Sequence, residues 1–333
     1  MRIAIDAMGG DHGPAMTVAG ALLAAKEWND VEIILVGDEE KISAHIPDGA
    51  KPANITVMHA SDIISADDEP ARAVRRKKDA SMVVAGRLIR EGAADAMISA
   101  GNTGALMATG LLIVGRIDGI ERPALAPMLP TMDGSGVLAL DLGANMDSSA
   151  DNLLQYAIMG SIYRSKVHGL AKPRVGLLNV GTEAAKGNEL AKAAYPLLEQ
   201  APIHFVGNVE AREVLHGPCD VLVCDGFAGN ILLKAMEGTA EVVFSALKTE
   251  FTRTFVSKLA AAILKPGLSA FKKKMDYSEH GAAPLLGING LVLKSHGPSD
   301  ANAFKNAVRQ ARIALANRLV EAISTETSRK RDG

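Results

Sequence analysis

Short apolar segments alternate with amphipathic segments along most of the chain. Nine apolar runs are almost uninterrupted, which is typical of strands covered on both faces of a sheet. They occupy residues 3–7, 31–36, 55–58, 96–99, 136–142, 175–180, 204–206, 221–224 and 291–294. Between them, apolar side chains recur at helical spacing in residues 17–28, 81–91, 153–167 and 190–198. The alternation predicts an α/β fold with a mostly parallel sheet and right-handed crossovers.

Residues 238–276 break this alternation and contain no strand pattern. One apolar helix face is predicted from four residues spaced four apart, Phe251, Phe255, Leu259 and Ile263. Pro266 and Gly267 are expected to end that helix, and a second one follows. Residues 248–276 also carry seven Lys/Arg against two Asp/Glu. We therefore expect a basic helical hairpin, residues 238–276, that projects from a single domain of residues 1–324, with a polar, frayed tail at 325–333.

Composition narrows the classes of function. Apolar residues make up 48% of the 333 positions and charged residues 22%, which indicates a packed globular protein. Aromatic residues are only 4% and the net charge is −2, so neither base stacking nor global attraction to nucleic acid is expected. The chain starts without a signal-peptide pattern, and no apolar run reaches the roughly 18 residues of a membrane span. Cys219 and Cys224 fit reduced core thiols better than a disulfide or metal pair, so a cytoplasmic protein is predicted.

Five strand ends are followed by turns rich in Gly, Asn and Asp. They lie at residues 6–14, 100–104, 141–145, 179–188 and 225–230. Glycine allows close approach of a ligand to the backbone, and a following helix offers unpaired N–H groups. Any one of these segments fits ordinary turn chemistry. Five of them at the carboxyl edge of one sheet predict a cleft for an anionic ligand.

Common catalytic fingerprints do not fit this chain. Gly-x-Gly-x-x-Gly is absent after the first strand, and Thr182 stands where a P-loop requires lysine. The sequence contains no His-Glu-x-x-His, no zinc-like Cys/His cluster and no Gly-x-Ser-x-Gly elbow. Direct attack by a bound nucleophile is therefore favoured over a covalent acyl-enzyme.

The ordered set of turns resembles the bacterial phosphate acyltransferases of the PlsX family. The segments that carry the resemblance span nearly the whole chain and are residues 6–14, 99–104, 140–145, 179–188, 225–230, 285–290 and 296–300. The resemblance implies an α/β/α sandwich similar to isopropylmalate dehydrogenase and phosphotransacetylase. It also implies transfer of an acyl group from acyl-[acyl-carrier protein] to inorganic phosphate for phospholipid synthesis. A homodimer that associates loosely with the inner face of the membrane belongs to the same expectation.

The chemistry of that reaction suggests roles for particular residues. Lys186 is the first candidate to bind phosphate or the oxyanion, although it could be a surface lysine. Asn230 is the second, as a donor or a helix cap. His12 could orient phosphate or transfer a proton, or bond to backbone. The remaining predicted binding residues are Gly9, Gly10, Asn102, Thr103, Gly104, Asn145, Asn179, Gly181, Asp225, Gly229 and His296. The scheme needs no metal and no cofactor.

Several alternatives remain open on the sequence. The basic run at residues 72–78 is either a solvated face, a dock for an acidic carrier protein, or a source of one arginine that binds phosphate. The apolar residues of the hairpin either pack in a dimer or core, or dip into an anionic membrane surface. Asp225 either orients Lys186 or caps a helix. As a whole, the chain could instead be an NAD-dependent dehydrogenase of the related fold, or a non-catalytic scaffold for carrier protein or membrane.

Overall fold

The structure is a computed structural model that describes residues 1–47, 51–275 and 281–329. Its strands are β1 (Arg2–Asp6), β2 (Glu32–Gly37), β3 (Ile55–His59), β4 (Ala96–Ser99), β5 (Ala124–Leu125), β6 (Met128–Leu129), β7 (Val137–Leu140), β8 (Arg174–Asn179), β9 (His204–Glu210), β10 (Val221–Val223), β11 (Ala283–Leu286) and β12 (Leu291–Lys294).

The helices lie between these strands. They are α1 (Gly13–Glu27), α2 (Glu39–Ser43), α3 (Pro70–Arg76), α4 (Ser81–Arg90), α5 (Thr103–Thr109), α6 (Ala150–His168), α7 (Glu189–Gln200), α8 (Gly226–Thr252), α9 (Phe255–Met275), α10 (Ala301–Ala316) and α11 (Leu319–Arg329). A π-helical turn, Gly110–Val114, continues α5, and a 3₁₀ turn, Ala211–His216, follows β9.

The first sheet has the strand order β3-β2-β1-β4-β12-β11-β5. Strands β1 to β4 and β12 are parallel, and β11 runs antiparallel to both of its neighbours. Ile3 and Ile5 belong to the core under α1 and α10, whereas Ala4 belongs to the core under α4 and α5. Because successive strand residues face opposite sides, this alternation places helices on both faces.

The second sheet has the order β6-β7-β10-β8-β9. Its last four strands are parallel and β6 is antiparallel to β7. Leu138 and Val221 face α6, while Leu222 packs in a smaller core with Leu232 of α8. This sheet is therefore also a central layer between helices. The predicted α/β/α architecture with mostly parallel strands is confirmed, but the predicted single sheet is two.

The two sheets meet where the chain passes from β5 to β6. The backbone N–H of Ala126 donates to the carbonyl oxygen of Pro284 in the first sheet (2.9 Å), and Ala139 of the second sheet donates to Pro127 (3.0 Å). The six-residue segment 124–129 thus forms hydrogen bonds with both sheets. All nine predicted strands are present, and the additional ones are β5, β6 and β11, which include the antiparallel strands of both sheets.

Helices α8 and α9 form an antiparallel hairpin, joined by Arg253 and Thr254. The rings of Phe244 on α8 and Phe271 on α9 lie 6.1 Å apart between centroids. Thr254 accepts a hydrogen bond from the backbone N–H of Ser257 (3.1 Å) and so begins a new helix. The first helix begins at Gly226, earlier than residue 238.

Two details of the predicted hairpin are wrong. Phe251 lies in the last turn of α8 and does not share a helix with Phe255, because the chain reverses between them. Pro266 does not end a helix but lies inside α9. Proline removes one backbone donor, the flanking Ala, Leu and Lys residues are strong helix formers, and the exposed helix lets water bond the freed carbonyl.

The carboxyl-terminal region also differs from its prediction. Helix α11 continues to Arg329, so the segment predicted to fray from residue 325 is helical over its first five residues. Residues 330–333 of the predicted tail lie outside the described residues, as does residue 276 at the end of the predicted hairpin. Cys219 and Cys224 are buried free thiols, as predicted.

Candidate active site between the two sheets

A cleft of about 680 Å³ opens between the two sheets. We call it the inter-sheet cleft. The turns after β7 and β12 form its walls together with the start of α3, one face of α5 and one face of α8. The predicted site residues that line it are Thr103, Gly104, Asn145, Asn230 and His296. Residues far apart in sequence therefore meet at the carboxyl ends of strands from both sheets, where ligands of open α/β folds bind.

The start of α8 is fixed against the turn that follows β7. The carboxylate of Asp225 accepts hydrogen bonds from the backbone N–H groups of Phe227 (3.0 Å) and Ala228 (2.9 Å), so this residue caps the helix. A Cβ atom at Gly229 would lie 2.0 Å from the carbonyl oxygen of Asp141. Only glycine permits this contact. Gly229 is therefore needed for the helix to approach the turn, and the capping alternative for Asp225 is the one observed.

Asn230 occupies the cleft side of α8. Its side-chain oxygen lies 3.3 Å from the position that a Cβ atom would take at Gly143, where the backbone φ is +127°. The residue is half-buried. Within the described part of the chain, its amide has no hydrogen-bond partner. An unpaired amide on the cleft side of α8 is available to a ligand.

The turn after β7 is organised around the buried carboxylate of Asp141. It accepts from the backbone N–H groups of Gly143 (3.1 Å), Ala144 (2.9 Å) and Asn145 (2.6 Å). Burial raises the pKa of Asp141, and these donors oppose the shift. The Asn145 amide donates to Asp141 (2.9 Å) and to the carbonyl oxygen of Pro123 (2.9 Å). Asn145 thus lines the cleft with both donors used to position the turn.

Lys294 is a cleft residue that the sequence analysis missed. It ends β12, and its ammonium group donates to the carbonyl oxygens of Ala100 (3.3 Å) and Ser295. Burial lowers its pKa from 10.5 to about 8, although the nearby carboxylates of Asp11 and Asp6 act in the opposite direction. The available signal was a lysine that closes an apolar strand just before a Gly-containing turn.

The turn after β1 braces the first sheet. A Cβ atom at Gly9 would lie 2.7 Å from the backbone nitrogen of Gly101, and one at Gly10 would lie 3.0 Å from the carbonyl oxygen of Gly297. Both glycines thus allow three strand-end turns to pack closely. His12 is exposed, precedes α1 without capping it, and is not among the residues that line the cleft.

Asn102 has a local structural role. Its side-chain oxygen accepts from the backbone N–H of Ala105 (3.0 Å), and its amide donates to the carbonyl oxygen of Ala66 (3.1 Å). It caps α5 and holds the neighbouring loop. Thr103 and Gly104 follow it and do line the cleft.

A second cavity of about 800 Å³ lies on the opposite face of α8. We call it the apolar cavity, because most of its lining is aliphatic or aromatic, including Leu153, Leu177, Leu190, Phe227, Ile231 and Leu232. The predicted residues Asn179 and Asp225 border it. Asn179 donates to the carbonyl oxygen of Lys186 (3.1 Å) and thereby closes the intervening loop.

Lys186 lies on the exposed part of that loop. It is not among the residues that line either cavity. Its side chain lies against Gly181, since a Cβ atom at Gly181 would lie 3.2 Å from the Lys186 Cγ atom. Gly181 is buried beneath the loop. The structure therefore separates the first candidate, Lys186, from the second, Asn230.

The two cavities differ in charge. The cleft is lined by the cationic side chains Arg122, Lys234 and Lys294 and by the acidic side chains Glu69, Asp141 and Glu237. Lys234 pairs with Glu237 (2.7 Å), which also lines the cleft. Charged side chains at the apolar cavity are Asp147 and Asp225, and its described lining contains no Lys, Arg or His. The cleft therefore offers an anion cationic side chains beside its carboxylates, whereas the described lining of the apolar cavity offers carboxylates alone.

Neither cysteine has the character of a nucleophile. Burial raises the pKa of Cys219 to about 12 and that of Cys224 well above its usual value, so both stay protonated thiols near neutral pH. Among residues 1–47, 51–275 and 281–329, no group of three or more His, Cys, Asp or Glu side chains could hold a metal ion.

The fold is that of phosphotransacetylases. The crystal structure of a phosphotransacetylase from Streptococcus pyogenes superimposes with a TM-score of 0.60 at 17% identity, over 96% of this chain and 94% of that chain. At this identity the likeness establishes the fold alone. The class is thus an α/β/α protein with a donor-rich cleft between two sheets.

The family follows from the sequence comparisons. The family model described as "Fatty acid synthesis protein" matches residues 1–322. The "Phosphate acyltransferase" of Brevibacillus brevis is 60% identical over 93% of this chain and 92% of its own length. That of Geobacillus sp. is 58% identical over 97% of both. The chain belongs to this family of phosphate acyltransferases, which confirms the predicted family and enzyme class.

Proposed function

We propose that this protein transfers the acyl group of acyl-[acyl-carrier protein] to inorganic phosphate in the inter-sheet cleft, for phospholipid synthesis. The family supports the reaction, and one observation supports the location. The cleft brings a cation, Lys294 of β12, and an unpaired amide donor, Asn230 of α8, to one cavity with an apolar wall. The cation suits phosphate, the amide donor suits the thioester oxygen, and the apolar wall suits a fatty chain.

The proposed reaction is a direct displacement at the thioester carbon. An oxygen of HPO₄²⁻ attacks the carbonyl carbon, the C–S bond breaks, and the phosphate proton passes to the sulfur of the departing thiol. Lys294 holds the attacking anion, and Asn230 donates to the developing oxyanion. His296 lines the same cleft and is our candidate to carry the proton. Neither a metal nor a cofactor enters the scheme.

The carrier protein is proposed to dock on α3. Its first residue, Pro70, lines the cleft, and Arg72, Arg75 and Arg76 are exposed on the same helix. An acidic partner there would place its thioester arm at the cleft. Reversing Arg72 and Arg75 to Glu should slow turnover of acyl-carrier protein about tenfold at low salt and leave a carrier-free acyl thioester unaffected. Equal loss with both substrates would reject this dock.

The hairpin tip is proposed to contact the inner, anionic face of the cell membrane from the cytoplasm. None of the described helices is both long and apolar enough to cross a bilayer. Phe255, Leu259 and Ile263 expose 84%, 58% and 74% of their surface, and Lys258 lies among them. Apolar side chains beside lysine suit a headgroup boundary. Phe251 is only half-buried at the end of the preceding helix and flanks this patch.

Vesicle binding tests the membrane proposal. The Phe255→Glu, Leu259→Glu protein should lose most of its binding to vesicles that contain phosphatidylglycerol, since it loses apolar contact and gains repulsion. Val206→Glu, at an exposed apolar residue of β9, is the matched control. Unchanged vesicle binding by the double variant would reject the proposed contact between the hairpin tip and the membrane.

A homodimer is proposed to form along α8. Val242, Val243 and Leu247 expose 69%, 49% and 39% of their surface on the outer part of this helix. Apolar side chains repeated on one exposed helix face are suited to a second copy of the chain. Sedimentation should show a dimer for the native protein and a monomer for Val243→Glu, and a native monomer would contradict the proposal.

The reaction itself is tested by following acyl phosphate with mass spectrometry. Long-chain acyl-carrier protein should yield acyl phosphate and free carrier thiol only when inorganic phosphate is present. Nicotinamide absorbance changes instead would favour the dehydrogenase. Carrier binding with no turnover, under any phosphate concentration, would favour the scaffold.

A further inference from the structure

The inter-sheet cleft changes from polar to apolar along its length. Thr103 and Gly104 start α5 on its cleft face, and Met107, Ala108 and Leu111 follow them at helical spacing. Eight residues of helix correspond to about 12 Å. The cleft therefore has a polar end at the strand turns and an apolar continuation beside α5.

Helix α8 shows the same change on the opposite wall. Asn230 is the fifth residue of this helix, and Leu233 follows it on the same face. The floor between the two helices is also apolar, since Leu125 and Met128 from the segment that joins the sheets line it. Leu142 adds to this lining beside Asn230. An elongated apolar group whose polar end meets Asn230 would be matched along both walls.

We propose that the fatty acyl chain of substrate and product lies between α5 and α8, against Met107, Leu111 and Leu233. This inference rests on the proposed function, which supplies the acyl thioester. The carbonyl group then lies at Asn230, and the phosphate at Lys294. The cleft volume of about 680 Å³ falls within the range of roughly 300–1,000 Å³ usual for small-molecule sites.

The apolar cavity is the competing location, and its charge argues against it. It is somewhat larger and more apolar, but Asp147 and Asp225 are its charged lining residues, with no cation among the described residues there. An acyl phosphate carries two negative charges on the group adjoining its chain. Binding the chain in that cavity would bring the phosphate toward carboxylates with no cation beside them, whereas the cleft offers Lys294 as well as its own carboxylates.

Two tryptophan substitutions distinguish the locations. Leu111 in the cleft and Ile231 in the apolar cavity are both aliphatic and partly exposed, at 39% and 53%, so both should accept a larger side chain without unfolding. Leu111→Trp should lower kcat/KM for palmitoyl-carrier protein about 10- to 100-fold and change that for butyryl-carrier protein less than about threefold. Ile231→Trp should leave both values near the native ones.

The opposite pattern would overturn the inference. Selective loss of the long-chain substrate in Ile231→Trp would place the chain in the apolar cavity. Equal loss of both substrates in Leu111→Trp, with an unchanged melting temperature, would show that this wall does not bind the chain.

A second measurement does not depend on catalysis. A carrier protein whose palmitoyl chain carries a photoreactive diazirine near its middle should cross-link to residues 107–111 or to Leu233. Adducts confined to the apolar cavity would contradict the inference even if turnover were absent. Absence of acyl phosphate from the native protein, by contrast, would reject the proposed function, so the two failures remain distinguishable.

Discussion

The two faces of α8 border cavities of similar size and opposite chemistry. On one face, Asn230 lines a cleft that contains Lys294 and His296. On the other, Ile231 borders a cavity whose charged groups are carboxylates. Volume would favour the apolar cavity, at about 800 Å³ against 680 Å³. The presence of cationic side chains and the unpaired Asn230 amide favour the cleft. An anion site is therefore better recognised by its cationic side chains and hydrogen-bond donors than by its volume.

The largest effect is expected at Lys294. Lys294→Met should reduce kcat/KM for phosphate roughly 10²- to 10³-fold, because the anion loses a fixed cation in a partly buried site. Lys186→Met is the matched control on the other side of α8, where we expect a change below about tenfold. Phosphate titrations of the pure variants with saturating acyl-carrier protein would measure both.

A larger loss of activity at Lys186 than at Lys294 would contradict the contrast between the two cavities. A large loss in Lys186→Met with a small one in Lys294→Met would place the anion at the loop of residues 179–188. Lys294→Arg should restore part of the phosphate dependence, since it keeps the charge in a different shape. A lysine that only braced the turns would instead change melting temperature without changing KM for phosphate.

A smaller effect is expected where α8 separates the cavities. Asn230→Ala should lower kcat about 100-fold with little change in KM for phosphate, since its amide acts on the thioester oxygen in the transition state. Ile231→Ala, the next residue, changes only the apolar side and should reduce kcat less than about threefold. Equal losses in both variants would mean that α8 contributes through its position, and that the Asn230 amide has no separate role.

Hydrophobic pattern predicted most of this fold, because buried parallel strands form long apolar runs. The strands that it missed have a common physical cause. β5 and β6 have two residues each, and β11 contains Pro284, so they carry no periodic signal. β5 and β6 are the edge strands at which the two sheets meet, and β11 pairs with β5. The existence of the cleft therefore could not be predicted from the pattern.

The candidate site was predictable in residue type and not in placement. The Gly- and Asn-rich turns were correctly marked as strand ends. Whether a turn faces the cleft, as Asn230 does, or caps a helix, as Asn102 and Asp225 do, depends on contacts between distant segments. Lys294 was predicted only as the end of a strand. Its role in the cleft was missed because its burial and its carbonyl partners appear only when β12 is paired with β4.

The smallest predicted effect is a pH dependence of stability from the same lysine. Its folded pKa of about 8 lies below the ordinary 10.5. Between these values the unfolded chain holds a proton that the folded chain has released, so the free energy of unfolding from this group rises as pH increases from 8 toward 10.5. Below pH 8 the cost of the buried charge is fully present.

Removal of the charge should therefore raise the stability of the protein while lowering its activity. At pH 7, Lys294→Met should raise the free energy of unfolding by about 1–3 kcal/mol relative to the native protein, and the difference should shrink by pH 10. Denaturant titrations of both proteins at several pH values measure this difference, in which the shared titration of other groups cancels. A variant that is less stable at every pH would make Lys294 a structural brace. A more stable variant with weaker phosphate binding would show that the cleft keeps a costly cation for its ligand, which the apolar cavity across α8 has no need to do.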